Sequence, residues 1–246
     1  MERLSIELTD RCDRACAFCY VQARPDGGRA WAPDEVVALA LDCAAHGARA
    51  VSFGGGEPLQ YDGLFEVLAA TRGRLFRSIT TNGLLLEELL DRLAGAAPEK
   101  VHVSLHDPED GAEVARIIRQ VAALDERGIR GGVNLLVRRS GLAAARAAAR
   151  SLQGAGIGND RIVYLPMRFS NTPSPEELAA VAGGAFQSAT CLVRCGASPR
   201  FASLAADRTA ALCSYTRRRA PLAAYTHAAL VAALDGLGIE PCGGLA

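Results

Sequence analysis

RLSIELTDRCDRACAFCY, residues 3–20, opens as a strand and ends in three closely spaced cysteines. Residues 3–8 alternate, with Leu4, Ile6 and Leu8 interleaved by Arg3, Ser5 and Glu7, which is the two-residue period of a half-buried strand. Cys12, Cys16 and Cys19 follow at once, so they occupy the loop at that strand's carboxyl end. Three thiolates within eight residues can wrap one iron–sulfur cubane, which favours soft sulfur ligands. Three ligands for four irons leave one iron open, the arrangement a catalytic metal needs. The spacing alone also suits a zinc ion completed by a remote ligand, or cysteines that ligate nothing.

Outward from this stretch the chain repeats one rhythm. Strands are predicted near 3–8, 49–53, 75–81, 100–105, 131–137 and 161–166. Helices are predicted near 33–46, 61–72, 85–95, 109–128, 141–154 and 175–183. Pro33 suits the first turn of its helix, and Asp34 and Glu35 suit the positive helix end. Strands separated by helical segments of this length read as βα units on a parallel sheet. Six units end near residue 184, and functional loops are expected at the carboxyl ends of the strands. After 185 the rhythm breaks. FASLAADRTAALCSY reads as a hairpin turning at Asp207-Arg208, followed by a helix over about 220–236. The expected division is 1–184 for an α/β barrel and 185–246 for a small appendage.

Composition narrows the function. The chain has 246 residues, half of them hydrophobic, with 27 basic and 27 acidic side chains and no net charge. Balanced charge gives no reason to expect nucleic acid or an anionic membrane as partner. The run Arg217-Arg218-Arg219 reads as solvated surface. Neither a signal peptide nor a membrane-length apolar run is visible, so a soluble, cytoplasmic protein is expected. Eight cysteines in a reducing compartment point to metal or catalysis rather than disulfides. Cys43 falls among apolar residues of the first helix and is expected in the core.

CDRACAFC, with its Cys-x3-Cys-x2-Cys spacing and an aromatic before the last cysteine, resembles the radical SAM signature. The resemblance continues in order along residues 1–170. Gly55-Gly56-Glu57-Pro58, after the second strand, looks like the family's GGE motif. Thr80-Thr81-Asn82-Gly83, after the third, resembles its TNG turn. It implies a partial (β/α)6 TIM-like barrel, with a 4Fe–4S cluster on Cys12, Cys16 and Cys19. It also implies S-adenosylmethionine chelating the open iron. By the same resemblance Phe18 packs near the adenine and Glu57 accepts from the methionyl amino group. Asn82 belongs to the cofactor-binding set, Ser104 and Asn134 match positions that contact the methionyl carboxylate or ribose, and Met167 borders the adenine near Leu165. The bland readings are ordinary strand polar residues for Ser104 and Asn134 and simple packing for Met167.

Four cysteines follow the barrel: Cys191, Cys195, Cys213 and Cys242. Cys195 and Cys213 flank the predicted hairpin, 18 residues apart. This looks like the Twitch appendage, a shortened SPASM domain, and implies a second, auxiliary 4Fe–4S cluster. A zinc ribbon or reduced core cysteines are the alternatives. Where SPASM has a glycine five residues before a hairpin cysteine, this chain has Arg208.

His106 follows Ser104 by two and shares its face of the fourth strand, so it is the candidate to touch substrate or donate a proton; a structural histidine is the alternative. His46, His102 and His227 carry no motif. Arg138, Arg139, Arg200 and Arg217 are candidates for a carboxylate or phosphate, with exposed surface as the default. The family implies an electron donor of flavodoxin or ferredoxin type and hydrogen abstraction from substrate. The expected substrate is a small metabolite or natural-product intermediate, because no peptide-recognition domain precedes the first strand. Modification of a ribosomal peptide is the enzymatic alternative, and a non-catalytic iron–sulfur electron-transfer protein is the other.

Overall fold

A computed structural model describes residues 1–186, 198 and 200–240. Six strands run parallel: β1 (Arg3–Glu7), β2 (Ala50–Gly54), β3 (Phe76–Thr81), β4 (Lys100–Leu105), β5 (Arg130–Val137) and β6 (Ile162–Pro166). Between and after them lie α1 (Pro33–Ala45), α2 (Leu64–Ala70), α3 (Leu86–Ala96), α4 (Gly111–Glu126), α5 (Leu142–Gly154) and α6 (Pro175–Ala182). This is the expected α/β architecture of a partial barrel. Among the described residues the strand order is linear, with β6 at one edge, so the barrel does not close.

Strand alternation sorts the side chains. Leu4, Ile6, Val51, Phe53, Ile79, Val101, Val103, Val133 and Leu135 are buried and join the helices in one apolar core. The other face carries polar side chains on the first five strands, with Leu136 and Leu165 facing the same side on β5 and β6. Ser5, Ser52, Thr80, Ser104 and Asn134 line a cavity inside the barrel. The register sets Ser203, Ser5, Ser52 and Ser78 abreast. A closed barrel of this kind fills its interior with branched apolar side chains; here hydroxyls and amides leave a site.

One charge lies on the core face. Arg77 is 1% exposed and donates to Glu99 and to the carbonyls of Leu68, Ala96 and Ala97. It thereby ties the ends of α2 and α3 to the start of β4.

After α6 the chain returns to the first strand. β7 (Phe201–Leu204) pairs in parallel with β1 and in antiparallel with β8 (Thr209–Ala211), giving the predicted hairpin. Arg208 takes the left-handed conformation, φ +63°, that a glycine adopts without steric cost. Its guanidinium holds Glu35 at 2.6 Å and lies over the Trp31 ring, fastening the turn to α1. The helix predicted over 220–236 is shorter. Ala220–Pro221 form β9 against β8, and α7 spans only His227–Leu234. Pro221 disfavours a helical Ala220, and the Thr226 hydroxyl, accepting the Ala229 N–H, sets the real start. The helix predicted over 61–72 also starts late, at Leu64, behind a 3-10 turn at Pro58–Gln60. No helix among the described residues is long and apolar enough to cross a membrane.

Candidate active site

The first three strand-end loops meet. The cysteine loop and the glycine loop are joined through their backbones: Gly56 N–H donates to Thr9 O at 2.6 Å, and Glu57 N–H to Arg11 O at 2.8 Å. A Cβ on Gly56 would lie 2.0 Å from Arg11 O, and one on Gly55, whose φ is +115°, would lie 2.6 Å from Thr9 O. These glycines therefore admit the cysteine loop itself. Gly54 lines the cavity, and its Cβ position is open.

Glu57 stitches the second loop to the third. It is 2% exposed. Its Oε1 accepts Leu59 N–H and the Thr81 hydroxyl, and its Oε2 accepts Asn82 N–H. Burial pushes its carboxyl up, against the pull of these three donors. The carboxylate expected to face an ammonium thus already orders the Thr81-Asn82-Gly83 turn. From the far side, Gln120 and Arg116 of α4 donate to the Gly83 and Asn82 carbonyls.

The thiols are free. Asn82 Nδ2 donates to Cys12 Sγ at 3.7 Å, and His106 Nδ1 stands 3.8 Å from Cys16 Sγ. Between these cysteines Arg14 reaches Glu113 of α4 at 2.6 Å, anchoring the loop. Burial raises the Cys16 thiol above the ordinary range, Arg14 opposes this, and the neighbouring thiols add to it. Phe18 meets His106 edge to face at 5.4 Å, with the Arg138 guanidinium 5.1 Å from its ring centre. Burial, with Arg14, Arg138 and Arg116 nearby, pushes His106 down to about 4. His106 is therefore neutral at pH 7, and it lies on the cysteine side of the site.

Cys12, Cys16, Cys19, Gly55, Gly56, Glu57, Asn82, Ser104, His106, Asn134, Phe18 and Met167 all line one cavity of about 310 Å³. Asn134 Oδ1 also holds His102 Nδ1 at 2.8 Å. Among the described residues no three His, Cys, Asp or Glu side chains close on a single metal ion. The three thiols instead face a shared volume, which suits a cubane whose ligands stand apart around it.

A second cavity, of about 850 Å³, lies on the hairpin side. Phe18, Cys19, Tyr20, Met167, Arg168 and Tyr215 border both cavities. The Tyr20 and Tyr215 rings meet within this wall at 4.8 Å, tilted 51° to each other. Glu7, Asp10, Asp207, Arg29, Arg217 and Arg219 line the larger cavity. Glu7 is 5% exposed, and among the described residues its carboxylate accepts no hydrogen bond. Burial pushes it up to about 7, Arg219 pulls it down, and Asp207 pushes it further up. Sequence reasoning passed over Glu7 and Arg14, and read Arg219 as solvated surface. Glu7 had a signal: it shares the inward face of β1 with Ser5. Arg14 had none, because its partner Glu113 lies 99 residues away.

Of the second cysteine group, Cys213 is half-buried just beyond β8 and its Sγ accepts the Tyr215 N–H at 3.5 Å. Cys191, Cys195 and Cys242 lie outside the described residues.

Comparison with known proteins agrees with this geometry. The Radical SAM superfamily pattern matches residues 6–167. A probable GTP 3',8-cyclase of Methanocella arvoryzae is 36% identical over 102 residues, covering 42% of this chain and 33% of that protein. GTP 3',8-cyclase 2 of Mycobacterium tuberculosis is 39% identical over 128 residues, covering 48% of this chain and 34% of that protein. The chain thus spans about a third of the length of these two relatives. Among solved structures, Streptococcus suis SuiB bound to S-adenosylmethionine superposes with a TM-score of 0.67 at 14% identity, covering 86% of this chain and 60% of SuiB. The anSMEcpe structure with AdoMet and the Cp18Cys peptide gives 0.66 at 12% identity, covering 93% of this chain and 80% of that one. With more than half its length matched, and the matched motifs folded around one cavity, this chain belongs to the radical SAM superfamily, enzymes that work with a 4Fe–4S cluster and S-adenosylmethionine.

Proposed function

We propose that this chain cleaves S-adenosylmethionine reductively and abstracts hydrogen from a small metabolite or natural-product intermediate, giving oxidation or rearrangement. The observation that carries the reading is the convergence of three thiols, the GGGE loop and the TTNG turn on one cavity, with a larger polar cavity across a shared wall. When bound, the cluster and S-adenosylmethionine supply a 5′-deoxyadenosyl radical, with the electron coming from a flavodoxin or ferredoxin-type donor.

The protein's part is to hold and to exclude. Cys12, Cys16 and Cys19 hold the cluster. Ser104, Asn134 and the open edge at Gly54 surround S-adenosylmethionine, and Phe18 and Met167 border its adenine. Glu57 acts by fixing the second and third loops against each other. The larger cavity receives the substrate. Glu7, buried and without a hydrogen-bond partner among the described residues, accepts from a substrate hydroxyl or amine, while Arg219 and Arg217 favour an anionic group on the same molecule. His106 stays with the cluster-bearing loop.

The curated relatives cited above are named for a reaction of GTP, a small molecule, at 36–39% identity. Solved neighbours that carry peptides share 12–15%. This weighs toward a small molecule and away from a ribosomal peptide. A pure electron-transfer protein has no use for the glycine and TNG loops closed around an open site. For the appendage, 185–246, we keep the Twitch-like reading: Cys191, Cys195, Cys213 and Cys242 hold a second 4Fe–4S cluster beside the 1–184 barrel, in a cytoplasmic enzyme. About 8 irons per chain support two clusters, and about 4 remove the second.

Deuterium tracing tests the substrate class. A labelled small metabolite should transfer deuterium into 5′-deoxyadenosine. Transfer only from a peptide would replace the small-molecule reading.

A further inference from the structure

Cys12 is the most buried of the three cysteines, 9% exposed, while Cys16 and Cys19 are half-buried. A thiolate at that depth has lost most of its water and depends on protein donors. Asn82 supplies one, its Nδ2 3.7 Å from Cys12 Sγ. The amide's orientation follows from its other end. Leu84 N–H, which can only donate, lies 2.8 Å from Oδ1, so the oxygen faces Leu84 and the NH2 faces the sulfur.

The donor is also held in place. Asn82 N–H is tied to Glu57, and the Asn82 carbonyl is approached by Arg116. Thr81 spans Glu57 and Gly83 N–H, and Gln120 holds the Gly83 carbonyl. Gly83 sits at φ +79°, where a Cβ would meet the Gln120 side chain at 2.5 Å. These bonds hold the turn on several sides, and it aims an N–H at a cysteine.

We infer that Asn82 tunes the cluster's reduction potential by donating a hydrogen bond to the Cys12 thiolate. This rests on reading Cys12 as a cluster ligand. Reduction adds one electron, taken from the external donor, to the cluster and its thiolates. A donor on sulfur stabilises the more negative, reduced state more than the oxidised one. Asn82 therefore raises the potential and eases the electron's entry.

The test is a mediator titration followed by electron paramagnetic resonance, on anaerobically reconstituted wild type, Asn82→Ala, Asn82→Asp and Ser52→Ala. Iron and sulfide are counted in each. Asn82→Ala should move the midpoint to a more negative potential, and Asn82→Asp further, because it places a carboxylate where the donor was. Asn82→Asp keeps the shape and the acceptor for Leu84 N–H, so it holds the turn should alanine release it. Ser52→Ala, lower in the same cavity, should leave the midpoint alone. Unchanged midpoints in Asn82 variants with full clusters overturn the role of Asn82 alone. A wild-type chain that binds no cluster through Cys12, Cys16 and Cys19 overturns the cluster reading as well.

Discussion

Replacing Glu7 with glutamine should stabilise the protein, and increasingly so as pH rises from about 4.5 to about 7. Glu7 is 5% exposed, and burial pushes its carboxyl up from 4.5 to about 7, with Arg219 opposing and Asp207 reinforcing. The folded state therefore holds this proton more tightly than the unfolded state. The stability so gained is fully present below about 4.5 and is lost as pH rises through about 7. At about 1.4 kcal/mol per pH unit, ionising Glu7 costs the folded state about 3 kcal/mol. Glutamine keeps the shape and never ionises, so Glu7→Gln should gain up to about 3 kcal/mol at pH 8.5 and under about 1 kcal/mol at pH 5. For a chain of this size that is a rise in melting temperature of about 6–12 °C. Parallel urea and thermal melts of both proteins at both pH values measure it. Other groups titrate alike in the two proteins, so the difference between their pH dependences isolates Glu7. A gain equal at pH 5 and 8.5, or a loss at pH 8.5, would refute the reasoning. The substrate-binding role proposed for Glu7 fits the usual opposition between stability and function.

Two further changes probe the scaffold. Arg77→Ala should destabilise the fold by about 3–5 kcal/mol, because it strips a buried charge from Glu99 and three carbonyls; urea unfolding reads this, and a loss under about 1 kcal/mol would contradict it. Gly56→Ala should displace the cysteine loop, since its Cβ would fall 2.0 Å from Arg11 O. Iron bound per chain should drop while the circular dichroism of the sheet and helices stays near wild type, whereas full iron binding would show that the loops can part.

The six βα units were legible because each strand alternates or runs apolar between clear helical stretches, a local signal. So was the cavity's membership: the cysteines, glycines, Asn82, Ser104, Asn134 and Met167 all reach it. The roles within it were less legible. Glu57 reads from sequence as an acceptor waiting for an ammonium, yet two of its three donors come from the third loop, 24 and 25 residues away. Gly55 and Gly56 read as part of a motif, and what they do is make room for the cysteine loop. No period or spacing reports such contacts between loops. Arg208 was legible as a departure from a glycine position, and the ion pair with Glu35 that holds it 173 residues away was not. β9 was lost because Ala220–Pro221 is too short for a period, although Pro221 was itself a warning against helix.

The central claim is that Cys12, Cys16 and Cys19 hold a cluster that acts on S-adenosylmethionine. Its most direct test is anaerobic incubation of the reconstituted chain with S-adenosylmethionine and dithionite, with the products separated and weighed by mass spectrometry. The account predicts 5′-deoxyadenosine and methionine in equal amounts, and neither from Cys12→Ala, Cys16→Ala or Cys19→Ala. A wild-type chain carrying a full 4Fe–4S cluster that releases no 5′-deoxyadenosine would contradict it.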